Sequence, residues 1–225
     1  NRLNKARSHA EKHDVDAIVF FNMSNVRYLS GFTGSDGAVV LGRDASWFLT
    51  DSRYTTQASR QVVGLPTVEY RIKLDGITEL VREQGFRRIG FESEHTTFAV
   101  YESLRQKLPE TELVPIGEEL AQLRLIKAPS ECELLSRVAR LASEALLSIL
   151  PLVKPGAVER ELALELEFAM RRAGAENASF DFIVASGERG SLPHGRASDK
   201  ALAAGELVTI DFGARYEGYC SDETV

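Results

Sequence analysis

The chain has 225 residues, 44% of them apolar and 27% charged, with a net charge of −6. These are the proportions of a soluble globular protein, with material for one large domain or two of ordinary size. The acidic balance and the lack of any Lys/Arg block argue against a nucleic-acid surface, and no apolar run approaches the roughly 20 residues of a membrane span.

In chain order, Leu3–Lys12 carries a short helical pattern and Asp16–Phe21 a compact apolar strand. Asn25–Leu29 leads into a glycine-punctuated segment, Gly31 to Gly37. Ala38–Leu41 and Ser46–Thr50 read as two strands turning at Gly42–Asp44. Helical character is expected at Tyr54–Gln61, Ile77–Gln84 and Phe98–Lys107, and strands at Val68–Ile72 and Arg88–Phe91. Such alternation predicts a mixed α/β (α+β) layer fold. The texture changes around Leu120–Pro129, so two domains are expected, 1–122 and 123–225. Beyond the crossing, Ser130 reads as a helix N-cap with Glu133 at the third helical position. The helix it opens runs to near Pro151. A turn follows at Pro155-Gly156, then a second amphipathic helix over Glu159–Ala173 stopped by Gly174. From Phe180 the pattern is extended: a strand Phe180–Ala185, a glycine-rich loop, and a closing hairpin.

That hairpin carries the strongest chemical signal. Asp211 and Asp222 fall on its two strands, where side chains repeat every two residues. A turn centred on Tyr216–Glu217 sets the two carboxylates face to face. With no Lys or Arg evident beside them, like charges so placed repel unless they share a proton or a cation. A metal site is therefore expected. Hard oxygen donors favour Mg, Mn or Ca, and an added imidazole would admit Zn, Co or Fe.

Other candidates carry less. Gly31, Gly34 and Gly37 lack the spacing and the following helix of a phosphate cradle, and read as turns. His194, in a loop bounded by glycines, is either solvated or functional. Cys220 shares a predicted strand face with Asp222 and reads as a small buried residue. Cys132 and Cys220 form neither a disulfide framework nor a zinc-type pair. His9 and His13 have metal-like i, i+4 spacing, among charged neighbours that favour a solvated face. The polar start, Asn1–Arg7, lacks a signal-peptide run, so a reducing, cytoplasmic location is expected.

Several motifs recur in order: Phe180–Gly187, Pro193-His-Gly195, Ser198-Asp-Lys200, Gly205–Gly213 and Gly218-Tyr-Cys-Ser-Asp222. As an ordered set they resemble Xaa-Pro aminopeptidase (aminopeptidase P) and its relative prolidase, the pita-bread metallopeptidases. Asn25–Gly34, Leu49–Tyr54 and Leu123–Glu131 are similar to the creatinase-type N-terminal domain of the same enzymes. The resemblance implies a creatinase-like mixed-sheet domain followed by the first half of a pita-bread domain. It implies two divalent metal ions, usually Mn with Co or Zn possible, held in part by Asp211 (one metal) and Asp222 (bridging both). It implies that His194 sits beside the metals and helps hold the substrate, a peptide with proline at its second position, and that the protein is a homodimer. The family's remaining histidine and two glutamate ligands find no match before Val225. A fragment, inactive as written, is thus expected. Alternatives are a prolidase restricted to Xaa-Pro dipeptides and a non-catalytic peptide-binding or dimerisation module of the same fold.

Overall fold

The computed structural model describes residues 2–225. It comprises two compact units, one ending at Ile126 and one beginning at Lys127. The first contains α1 (Arg2–Lys12), β1 (Ala17–Phe20), α2 (Met23–Ser30), β2 (Ala38–Gly42), β3 (Ser46–Asp51), α3 (Thr55–Gln61), β4 (Thr67–Tyr70), α4 (Lys73–Glu83), β5 (Arg88–Glu92), α5 (Phe98–Lys107), β6 (Glu112–Ile116) and α6 (Glu119–Gln122).

Its strands form one mixed sheet in the order β4-β3-β2-β1-β5-β6. The β1–β2 and β2–β3 pairs are antiparallel, while β3–β4, β1–β5 and β5–β6 are parallel. Strands β1 and β2 are apolar at every position because both faces are covered. Ile18 and Phe20 of β1 pack with Val39, Leu41 and Phe48 on one side. Ala17 and Val19 pack with Ala38, Val40 and Leu49 on the other. β6 was not evident from sequence because Pro115 interrupts its pattern. It lies at the sheet edge, where a missing backbone donor is tolerated. Leu123, beyond α6, is fully buried in this unit's core, and Lys5 Nζ donates to its carbonyl at 3.0 Å.

The second unit contains α7 (Pro129–Ile149), α8 (Glu159–Arg172), β7 (Asn177–Ala178), β8 (Ile183–Ser186), β9 (Val208–Phe212), β10 (Ala214–Tyr216), β11 (Tyr219–Cys220) and β12 (Glu223–Thr224). Helix α7 starts two residues earlier than the predicted Ser130 cap. Ala128 is the N-cap and Pro129 the first helical residue, where a proline's fixed φ and absent N–H suit a helix start. Glu131, rather than Glu133, reaches back to accept from the Ala128 N–H at 2.9 Å. The predicted strand from Phe180 is regular only over β8; Phe180–Phe182 forms its irregular approach.

Two three-stranded sheets, β11-β10-β7 and β12-β9-β8, follow the helices. The apolar stripes of α7 (Val138, Leu141, Ala142, Ala145, Ile149) and α8 (Leu162, Leu166, Met170) meet Val184, Ile210, Phe212 and Ala214 in one core. Alternation does the rest on β9: Ile210 and Phe212 point into the core, which leaves Asp211 on the opposite face.

Candidate active site

The closing hairpin forms, with a register different from the predicted one. Its loop is Glu217–Gly218, and both residues have positive φ, 46° and 72°. That is the two-residue connection whose twist matches the strands. A glycine at the second loop position takes this conformation without steric cost, so the turn centres one residue later than Tyr216–Glu217. Arg215 consequently pairs with Cys220 and Tyr216 with Tyr219. Further out, Phe212 pairs with Glu223 and Asp211 with Thr224. Asp211 thus faces Thr224, whose Oγ1 donates to Asp211 Oδ1 at 2.8 Å. Asp222 sits on the diagonal, two residues before Thr224, not directly opposite Asp211.

Between the two halves of the hairpin the ladder is interrupted at Gly213 and at Ser221–Asp222. A side chain at position 213 would collide with the Ser221 carbonyl and Ser179 Oγ. In its absence Ser179 Oγ donates to the Ser221 carbonyl at 2.8 Å, and the Ser179 N–H to the Gly213 carbonyl at 2.9 Å. This close crossing lets β9 and β10 belong to different sheets while the chain runs on.

Asp211, Asp222 and His194 line one open pocket of about 490 Å³, together with Phe180, Asp181, Ile183 and Arg196. Residues 17 and 28 positions apart in sequence thus come together through the return of the 187–200 loop onto β8, where Arg196 bridges to Ile183. Asp222 and His194 are solvent-exposed and Asp211 is half-buried. Among the described residues, no group of three or more His, Cys, Asp or Glu side chains is arranged to hold a metal ion.

The hairpin pattern predicts no Lys or Arg beside the aspartates on their face. The structure supplies one: Arg196 lines the pocket, with Nη2 2.6 Å from Asp181 Oδ2. It was hidden because it enters from a loop, not from the hairpin. Phe180, expected as the first residue of a strand, gives the pocket an aromatic wall. Cys220, expected to be buried, is exposed, as is Cys132, and both are free thiols; the face Cys220 shares with Asp222 is the solvent-exposed one, while Ser221 between them is buried. His9 Nδ1 and His13 Nε2 converge on Glu119 Oε2 at 3.5 and 3.3 Å, and Lys12 Nζ is 2.7 Å from the same oxygen. The Lys12 and His13 hydrogen bonds hold the Glu119 carboxyl down to about 2. This cluster joins α1 to α6. The glycine segment is followed by β2, not a helix.

A small mixed-sheet α/β unit precedes a helix-backed unit in which Asp211, Asp222 and His194 line a common pocket. The fold is that of the N-terminal part of a pita-bread peptidase. Residues 2–126 match the creatinase/prolidase N-terminal domain model, and the chain belongs to that family; residues 133–225 match metallopeptidase family M24. It is 46% identical over 224 residues to an uncharacterized peptidase, YqhT, of Bacillus subtilis, an alignment covering 99% of this chain and 64% of that protein. An Xaa-Pro dipeptidase structure from Bacillus anthracis superposes with a TM-score of 0.95 at 40% identity, covering 99% of this chain and 63% of that one. An X-Pro aminopeptidase structure from Thermotoga maritima gives 0.88 at 32% identity, covering 96% and 63%. The chain therefore spans just under two thirds of the length of these relatives.

Proposed function

We propose that the protein is a metal-dependent Xaa-Pro peptidase that removes an N-terminal residue preceding proline. The observation that carries this reading is the shared pocket of Asp211, Asp222 and His194. The two carboxylates fit the hard-oxygen part of a divalent-metal site, with Mn the first candidate and Co or Zn the next. They do not complete one, since two divalent ions need more donors than two side chains provide. Bound metals would supply Lewis acidity to the scissile carbonyl and to the attacking water.

The chain's own residues have separate tasks. Thr224 donates to Asp211 Oδ1, fixing that carboxylate's rotamer and leaving its other oxygen unengaged by this bond. His194, exposed on the pocket rim, can donate a proton or a hydrogen bond to the substrate backbone. Phe180 offers an apolar surface suited to a proline ring. The relatives named above include both a dipeptidase and an aminopeptidase. The prolidase alternative gains from Arg196, a guanidinium at the pocket able to receive the free carboxylate of a dipeptide. A homodimer and a cytoplasmic location belong to the same proposal and rest on the resemblance.

The test is hydrolysis by the complete protein supplied with manganese, using an Arg-Pro-Pro tripeptide and an Ala-Pro dipeptide. Cleavage of both supports the aminopeptidase reading and cleavage of the dipeptide alone supports prolidase. Cleavage of neither, by a folded, metal-loaded protein, overturns both.

A further inference from the structure

Glu159, the first residue of α8, is completely buried, and the chemistry assigned above does not use it. Its carboxylate accepts five hydrogen bonds. Oε1 takes the Ser186 N–H at 2.8 Å and the Ser186 hydroxyl at 2.9 Å. Oε2 takes the Ser198 N–H at 3.1 Å, the Ser198 hydroxyl at 2.6 Å and Arg189 Nε at 3.0 Å. Burial alone would raise its pKa, but the hydrogen bonds from Ser198 and Ser186 outweigh that and bring the group down to about 2.

The partners are not scattered. Ser186 ends β8, Ser198 closes the loop, and Arg189 lies within it, so one carboxylate grips both stems and the middle of the segment carrying His194. Arg189 extends the grip by donating through Nη2 to the Arg196 carbonyl at 2.6 Å. Lys200 adds a brace, with Nζ 2.7 Å from Ser186 Oγ and 2.6 Å from Glu206 Oε2. A buried anion so fully satisfied is costly to remove and fixes its donors in place.

We propose that Glu159 is the positioning residue for His194: through Ser186, Arg189 and Ser198 it holds the 187–197 loop so that the imidazole stands at the pocket. This rests on the reading of His194 as a substrate-side group. In Glu159→Gln the amide oxygen can keep the Ser186 bonds, but its NH₂ meets the Ser198 and Arg189 donors.

Amide exchange and imidazole NMR signals of the 225-residue chain test it directly. In Glu159→Gln the Leu192, Gly195 and Ser198 amides should exchange at least tenfold faster and the His194 ring signals should shift. The Ile210 and Val225 amides, paired across β9 and the chain end, should be unchanged. An unaltered loop, or equal loosening throughout the unit, would overturn the proposal. Should that variant not fold, Arg189→Met, which leaves both serines paired, should loosen the same loop amides, and their full protection would be decisive against it.

In the complete protein, Glu159→Gln should lower kcat/KM for an Xaa-Pro substrate tenfold or more, and should cost nothing further in a His194→Ala background. Additive losses contradict an action through His194. A wild-type protein inactive on Xaa-Pro peptides would sink the peptidase reading while the exchange data still judge the loop.

Discussion

Replacing Glu159 by glutamine removes a buried charge while keeping the side chain's shape, and its effect on stability is expected to depend on pH in a defined direction. The folded-state pKa is depressed from the ordinary 4.5 to about 2. A carboxylate depressed in this way contributes stability that is fully present above 4.5 and is lost as pH falls toward 2. Each pKa unit is worth about 1.36 kcal/mol, so the contribution at neutral pH is about 3 kcal/mol. For a unit of roughly 100 residues that corresponds to a shift of order 10 °C or more in Tm. Urea melts followed by far-UV circular dichroism between pH 7 and pH 2 would measure it. Trp47, the one tryptophan, lies on β3 of the first unit, so its fluorescence supplies an internal control that the substitution should not move. The wild-type and Glu159→Gln curves should differ most at pH 7 and converge in acid. A difference that stays constant from pH 7 to pH 2, or that grows in acid, would refute the assignment of a charged, hydrogen-bonded Glu159.

Phe212, fully buried in the second unit's core, should cost about 3–5 kcal/mol when cut to alanine, read as a fall in the urea midpoint. Gly213→Ala should destabilise the same unit by more than 1 kcal/mol, because the new methyl meets the Ser221 carbonyl, a backbone atom that cannot swing away. It should also weaken manganese binding in the complete protein by displacing Asp222; calorimetric titration would show this. Gly218→Val, at φ 72°, should cost about 1–2 kcal/mol through the left-handed penalty of a β-branched residue. Thr224→Val should leave the fold intact and lower stability by no more than about 1 kcal/mol, with Asp211's rotamer loosened in NMR spectra.

The sequence exposed most of the fold because its signals are local. Helix periods in Leu3–Lys12, Phe98–Lys107 and Glu159–Ala173, and apolar runs at Asp16–Phe21 and Ala38–Leu41, correspond to α1, α5, α8, β1 and β2 within a residue or two. Where one residue outweighs the pattern, the reading slipped. Pro115 masked β6, Pro129 moved the start of α7, and Gly218 moved the hairpin turn by one position. That last slip changed Asp211's partner from Asp222 to Thr224, yet it preserved parity, which is why both aspartates still reach the same pocket. The 187–200 loop was the part least open to inspection. Its path is set by contacts far apart in sequence, above all those of Glu159 with Ser186 and Ser198. Without them nothing in the local pattern brings His194 and Arg196 beside β9.

The central claim is that Asp211 and Asp222 work together as carboxylates of a metal site for Xaa-Pro hydrolysis. The most direct measurement is manganese-dependent turnover of an Xaa-Pro peptide by the complete protein carrying Asp222→Ala, beside the wild type, with folding checked by circular dichroism. Wild-type turnover that requires the metal, and a loss of at least about a thousandfold in the variant, is the predicted result, in line with the several kcal/mol a catalytic metal supplies. Unchanged turnover in a folded Asp222→Ala protein would contradict it.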